Sequence, residues 1–117
     1  MRKTILTTLA FMAVLGGKAQ HRADQQKLDN PESFSMIVLG DPQGYMKYDI
    51  NQPLFELCTA WIADNVDQLN IKSVLCTGDL VETNECITRI RTMVNQTSRE
   101  QWECVSRCFG RLDNKVP

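Results

Sequence analysis

Two short apolar runs that each end in Gly-Asp constrain this chain more than any other feature. The first is Ser35-Met36-Ile37-Val38-Leu39-Gly40-Asp41-Pro42-Gln43, and the second is Ser73-Val74-Leu75-Cys76-Thr77-Gly78-Asp79-Leu80-Val81-Glu82. One amphipathic stretch lies between them. Strand, helix, strand predicts a βαβ unit whose right-handed crossover points both strand ends the same way. In open α/β sheets, ligands bind outside the carboxyl ends of the strands. Gly40 and Gly78 allow sharp turns there, and Asp41 and Asp79 then project into one crevice. Two close carboxylates repel unless a cation or a shared proton joins them. Their oxygens suit hard or borderline divalent ions. The plainer alternative is that both aspartates are turn residues at strand ends.

The rest of the chain can be read around this unit. The first strand, residues 34 to 39, is a near-continuous apolar run, as expected where both faces of a sheet are covered. Pro42 disfavours helical backbone at Asp41 and predicts a turn over Asp41-Pro42-Gln43-Gly44. Residues 45 to 51 read as a loop whose Tyr45 and Tyr48 either line a pocket mouth or cover the sheet edge. A helix starts at Gln52-Pro53, with proline at its first position. Leu54, Leu57, Cys58, Trp61, Ile62 and Leu69 recur at helical spacing as its expected buried stripe, and Asn70 ends it. Ile87, Ile90, Met93 and Val94 suggest a short helix within residues 83 to 97. Asn95-Gln96-Thr97 has the pattern of a glycosylation sequon. Ser98 to Gln101 reads as a capping box that opens a helix burying Trp102, Val105, Phe109 and Leu112. Val116-Pro117 looks like the entry to a further strand. Two strands do not make an independent parallel sheet covered on both faces. The pattern therefore predicts the N-terminal part of a larger α/β domain.

Length and composition bound the function. With 117 residues the chain holds one domain at most, and 43% hydrophobic with 23% charged residues is ordinary for a globular protein. A net charge of −1 with no Lys/Arg cluster gives no indication of a nucleic-acid partner. Arg2-Lys3, the apolar run from Ile5 to Leu15, and Gly17-Lys18-Ala19 read as a secretory signal peptide over residues 1 to 19. The apolar run is too short to span a bilayer. The mature protein is thus expected to be exported, periplasmic or secreted, without a stable membrane anchor. Residues 20 to 33 form a polar leader, and its His21, the only histidine, is expected to be solvated. Five cysteines are an odd number for a disulfide framework. Cys58 and Cys76 fit small buried hydrophobes. Cys104 and Cys108 suit a shared helix face better than a disulfide, and no C-x-x-C supports a zinc ribbon or thioredoxin-type centre.

Gly40-Asp41-Pro42-Gln43 followed, after one βα crossover, by Gly78-Asp79-Leu80-Val81-Glu82 resembles the start of the calcineurin-like metallophosphoesterase family. The resemblance covers residues 34 to 117. It implies a four-layer αββα sandwich, incomplete in this chain, of which this chain is the N-terminal βαβ part. It also implies a centre of two divalent metal ions (Mn, Fe, Zn or Mg) that hydrolyses phosphate mono- or diesters with a metal-activated water. By position, Asp41 matches the first-block aspartate, which by this resemblance would ligate the first metal. Gln43 stands where the family usually has histidine, and its amide oxygen can still ligate a hard cation. Asp79 matches the aspartate that bridges both metals. Glu82 stands where Asp or Asn is frequent, outside the ligand set. The Gly-Asn-His block and later histidines of the family are absent. This chain thus carries about half of a dinuclear site, and by itself it is expected to bind metal weakly without turnover. The implied substrate is a phosphorylated small molecule or phosphoprotein, with phosphomonoesters favoured.

Other α/β functions fit less well. There is no Gly-Lys-Ser/Thr for a P-loop and no Gly-x-Gly-x-x-Gly for a dinucleotide. A phosphoacceptor signalling domain has no use for an export signal. The rival from another class is a secreted, non-catalytic binding protein on the same scaffold, with Gln43 marking a lost metal site.

Overall fold

A computed structural model describes residues 27–89 and 94–117. The expected signal peptide, His21, Ile90 and Met93 lie outside the described residues. Strand β1 (Ser35–Leu39) and strand β2 (Ile71–Cys76) pair in parallel, with Ile37 opposite Val74 and Leu39 opposite Cys76. Between them run helix α1 (Gln43–Met46), a 3-10 turn (Asp49–Asn51) and helix α2 (Gln52–Asn65). Helix α3 (Ser98–Gly110) follows β2. The βαβ unit read from the sequence is therefore present as mixed α/β structure on a two-stranded sheet. Among the described residues no helix is long and apolar enough to cross a membrane.

Pairing of β1 with β2 is secured at the amino end by Asn70. Its backbone is left-handed (φ 44°), a conformation asparagine tolerates better than most residues. That bend lets the Asn70 carbonyl accept from Ser35 N at 3.1 Å while its side-chain amide donates to Ser33 O at 2.8 Å. The helix itself stops at Asn65, earlier than expected, and residues 66 to 70 form turns bonded back to it.

Both long helices cover the same sheet face. Ile37, Leu39 and Val74 pack with Ile62 of α2, Ile71 and Leu112. Leu39 also reaches a second cluster formed by Met46, Phe55, Cys104, Val105 and Cys108. Met36, Val38 and Leu75 point from the opposite face and are more than half exposed. The continuous apolar run of β1 is thus not covered on both sides. Strand side chains alternate in direction, and among the described residues the helices supply only one layer.

The buried stripe of α2 also differs from the expected one. Phe55, Thr59 and Ile62 are buried, whereas Leu54, Leu57, Cys58 and Trp61 are exposed. The helix carries two apolar stripes, and the partner surface selects one. Phe55 stacks on Tyr45 at 6.0 Å and meets Phe109 edge-on at 5.8 Å.

Helix α3 is capped one residue earlier than expected. Thr97 is the N-cap: its hydroxyl accepts from Glu100 N at 3.3 Å, and Glu100 Oε2 accepts from Thr97 N at 2.8 Å. Of the expected α3 face, Val105 and Leu112 are buried and Phe109 half-buried, but Trp102 is exposed and donates to Asn84 Oδ1 at 2.9 Å. Gln101, Cys104 and Cys108 fill the interior instead.

Residues 83 to 89 are not helical, and Ile87 is 87% exposed. The sequon asparagine is engaged. Asn95 Nδ2 donates to Asp49 Oδ1 at 2.8 Å while its Oδ1 accepts from Asp49 N at 3.0 Å. At the far end, Pro117 O accepts from Val74 N at 3.2 Å, so residues 116–117 meet β2 along the edge that β1 does not use.

Candidate metal centre

Gly40-Asp41 and Gly78-Asp79 both follow the carboxyl ends of the paired strands, as β1 and β2 run parallel. Ladder pairing continues one residue past β2, where Thr77 N donates to Leu39 O at 3.0 Å. The chain then turns through Gly78 (φ 137°), a conformation open mainly to glycine. Asp79 follows with φ 41°, in the left-handed region where a non-glycine residue carries strain. Such strain persists only where surrounding contacts impose it, and it clusters at functional sites.

The imposing contacts are visible. Asp79 O accepts from Gln43 N at 3.0 Å, which ties the second Gly-Asp corner to the first turn of α1. Downstream, Glu82 N donates to Oε1 of Gln101, and Gln101 Nε2 donates to Gln96 O. Gln101 is fully buried, so this one amide anchors the 79–82 segment to α3. Glu82 itself pairs with Lys47 at 3.2 Å.

The two aspartate side chains are exposed. Asp41 Oδ1 accepts a short hydrogen bond, 2.6 Å, from the Thr77 hydroxyl. Thr77 therefore orients one carboxylate from the opposite strand end and leaves its remaining lone pairs available. Pro42 takes up helical backbone (φ −80°, ψ −2°) and accepts from the N–H groups of Tyr45 and Met46. The expected open turn after Asp41 is thus one turn of helix. Tyr45 is stacked on Phe55 and 41% exposed, a cover for the core at the flank of the Asp41 corner. Beneath the corners, the Cys76 thiol lies 3.8 Å from the carbonyls of both Gly40 and Gly78. Exposed Cys58 does not act as the small buried hydrophobe expected.

Gln43 is the residue that departs from ordinary packing. Its side-chain oxygen Oε1 is buried and has no hydrogen-bond partner. An unsatisfied buried acceptor costs about 1–3 kcal/mol, and a cation or a donor from a ligand would relieve it. The donor set near the strand ends is two carboxylates and an amide oxygen, the chemistry of a hard or borderline divalent ion.

Three residues were not legible as site components. Thr77 was concealed in a plain strand end, although a hydroxyl directly before Gly-Asp is a usable signal. Gln101 read as a capping residue, and Cys76 as core. Compared with known proteins, the chain matches no family model, no curated protein and no solved structure.

Proposed function

We propose that this chain contributes Asp41, Gln43 and Asp79 as ligands to the metal centre of a metal-dependent phosphoesterase, with phosphomonoesters of a small molecule or a phosphoprotein as substrate. One observation carries the reading. The buried, partnerless oxygen of Gln43 belongs to the residue whose backbone N–H fastens the Asp79 corner, two residues from Asp41. Turn residues that merely end strands give no reason for an unsatisfied acceptor at that point.

The chain's own residues have definable roles. Thr77 fixes the rotation of the Asp41 carboxylate through its hydroxyl. Gly78 and Asp79 hold the second carboxylate on a bent, strained backbone that Gln43 and Gln101 keep in place. Divalent cations bound there would supply charge neutralisation for phosphoryl oxygens and lower the pKa of water. The signal-like residues 1–19 support an exported setting.

The test is hydrolysis of an aryl phosphate by the whole native protein, rather than by residues 1–117 alone, which are expected to bind metal weakly without turnover, with Mn²⁺ and with chelator. Chelator-sensitive turnover is expected, reduced at least about 100-fold in Asp79→Asn, since loss of even an outer partner of a metal ligand costs about 10–100-fold. No turnover with any divalent metal, together with no bound metal by elemental analysis, overturns the reading in favour of a non-catalytic binding protein.

A further inference from the structure

A second cluster of potential ligands sits away from the strand ends, between α2 and α3. Cys104 and Cys108 are four apart on α3 and share one helix face. They are 1% and 0% exposed, and neither is in a disulfide. Glu56 of α2 meets them, and one ligand atom from each of the three residues lies within 4.8 Å of the others. We propose that Glu56, Cys104 and Cys108 form a site for a borderline-soft divalent cation of the Zn²⁺ class, independent of the phosphoesterase reading.

The donor set selects the ion. Thiolate sulfur favours Zn²⁺ over Mg²⁺ or Ca²⁺, and a carboxylate is an accepted zinc ligand. Three protein ligands leave a fourth position for water or another group. The plainer reading is a pair of cysteines serving as small hydrophobes. Arg107 and Arg111 hold the Glu56 carboxylate in place, and what the plainer reading leaves unused is that this carboxylate and both thiols lie within ligand distance of one another.

Arg107 of α3 and Arg111 at its C-terminal end orient the Glu56 carboxylate. Oε1 accepts from Arg107 at 3.2 Å (Nε) and 2.7 Å (Nη2). Oε2 lies 3.6 Å from Arg111 Nη2, so both arginines share the carboxylate and help hold it charged. The Glu56 side chain is 28% exposed, at the solvent side of its cluster with the two buried thiols. Outer partners of this kind orient a ligating carboxylate.

Charge and protons balance. Burial raises both thiols, Cys108 to about 12, and Arg107 lowers Glu56, so without metal the cluster is two neutral thiols beside a carboxylate paired with arginine. On binding, two S–H bonds break and two sulfur–metal bonds form. Two protons pass to solvent, and no electron moves. Two thiolates, one carboxylate and a 2+ ion sum to −1, which faces the guanidinium groups of Arg107 and Arg111. With two protons released, affinity rises about 100-fold per pH unit below the thiol pKa values.

The test uses Co²⁺ as a spectroscopic probe on the reduced full chain. A sulfur-to-cobalt charge-transfer band is expected at one equivalent, displaced by Zn²⁺. It should be lost in Cys104→Ser and in Cys108→Ser, and kept in Cys58→Ser, Cys86→Ser and Asp79→Asn. A folded wild type without the band, or a band that survives in the Cys104→Ser/Cys108→Ser double variant, overturns the site. Should the serine variants not fold, alkylation mapped by mass spectrometry decides on the wild type. Labelling is followed in urea, where both thiols are reached without metal; Zn²⁺ should slow alkylation of Cys104 and Cys108, and equal rates with and without Zn²⁺ overturn the proposal. The centre at Asp41 and Asp79 offers oxygen ligands, so its failure would abolish turnover and leave the sulfur band untouched.

Discussion

At the residue scale, Asp79 is where local preference and fold disagree most. A left-handed backbone costs an L-residue about 1–2 kcal/mol, less for aspartate than for most, and Asp79 accepts that cost at φ 41°. A glycine there would relieve it. Asp79→Gly is therefore expected to raise stability by up to about 1 kcal/mol in urea unfolding while removing the proposed bridging carboxylate. A clear loss of stability in that variant would mean that the aspartate is structural. Gln43 makes the complementary case, because its buried oxygen gains nothing from the fold that surrounds it.

At the scale of the element, α3 shows how a start signal can be shared between two registers. Thr97-Ser98-Arg99-Glu100-Gln101 contains Thr-x-x-Glu and Ser-x-x-Gln, and either can cap a helix. Ser98 is drawn off to accept from Cys86 N and to donate to Thr83 O, and Gln101 to hold Glu82 and Gln96. Thr97 and Glu100 remain free to cap. Thr97→Ala should cost about 1 kcal/mol by thermal or urea unfolding. Arg89 and the Thr97 N–H hold Glu100 well down, from 4.5 to about 2. A carboxyl lowered on folding stabilises the protein fully above its ordinary pKa, and the contribution is lost as pH falls from about 4.5 to 2. Acid unfolding followed by circular dichroism should therefore begin at higher pH in Arg89→Gln than in the wild type.

For the whole molecule, the deciding feature is that the helices cover one face of the sheet. Met36, Val38 and Leu75 on the other face, and Leu54, Leu57 and Trp61 on α2, are apolar and exposed. Surfaces of this kind promote association. Val38→Lys and Leu57→Ser are expected to lower concentration-dependent light scattering with stability changed by no more than about 0.5 kcal/mol. Phe55→Ala should instead cost about 3–5 kcal/mol, because its ring is 3% exposed between Tyr45 and Phe109. Equal costs at Leu57 and Phe55 would contradict the packing described.

The sequence alone determined the strand–helix–strand order and the two Gly-Asp corners, because apolar run length, glycine and proline act locally. It also placed Cys104 and Cys108 on one helix face, a consequence of spacing alone. Tertiary structure decided which stripe of α2 is buried, since Leu54/Leu57/Trp61 and Phe55/Thr59/Ile62 compete and only the surface presented by Tyr45, Phe109 and Ile71 separates them. It also selected Thr97 over Ser98 as the cap, joined Thr77 to Asp41, and brought Glu56 against the two thiols. The last two link residues whose separation along the chain carries no periodic signal, and the cap was a choice between two equally legible registers, so folded geometry decided all three.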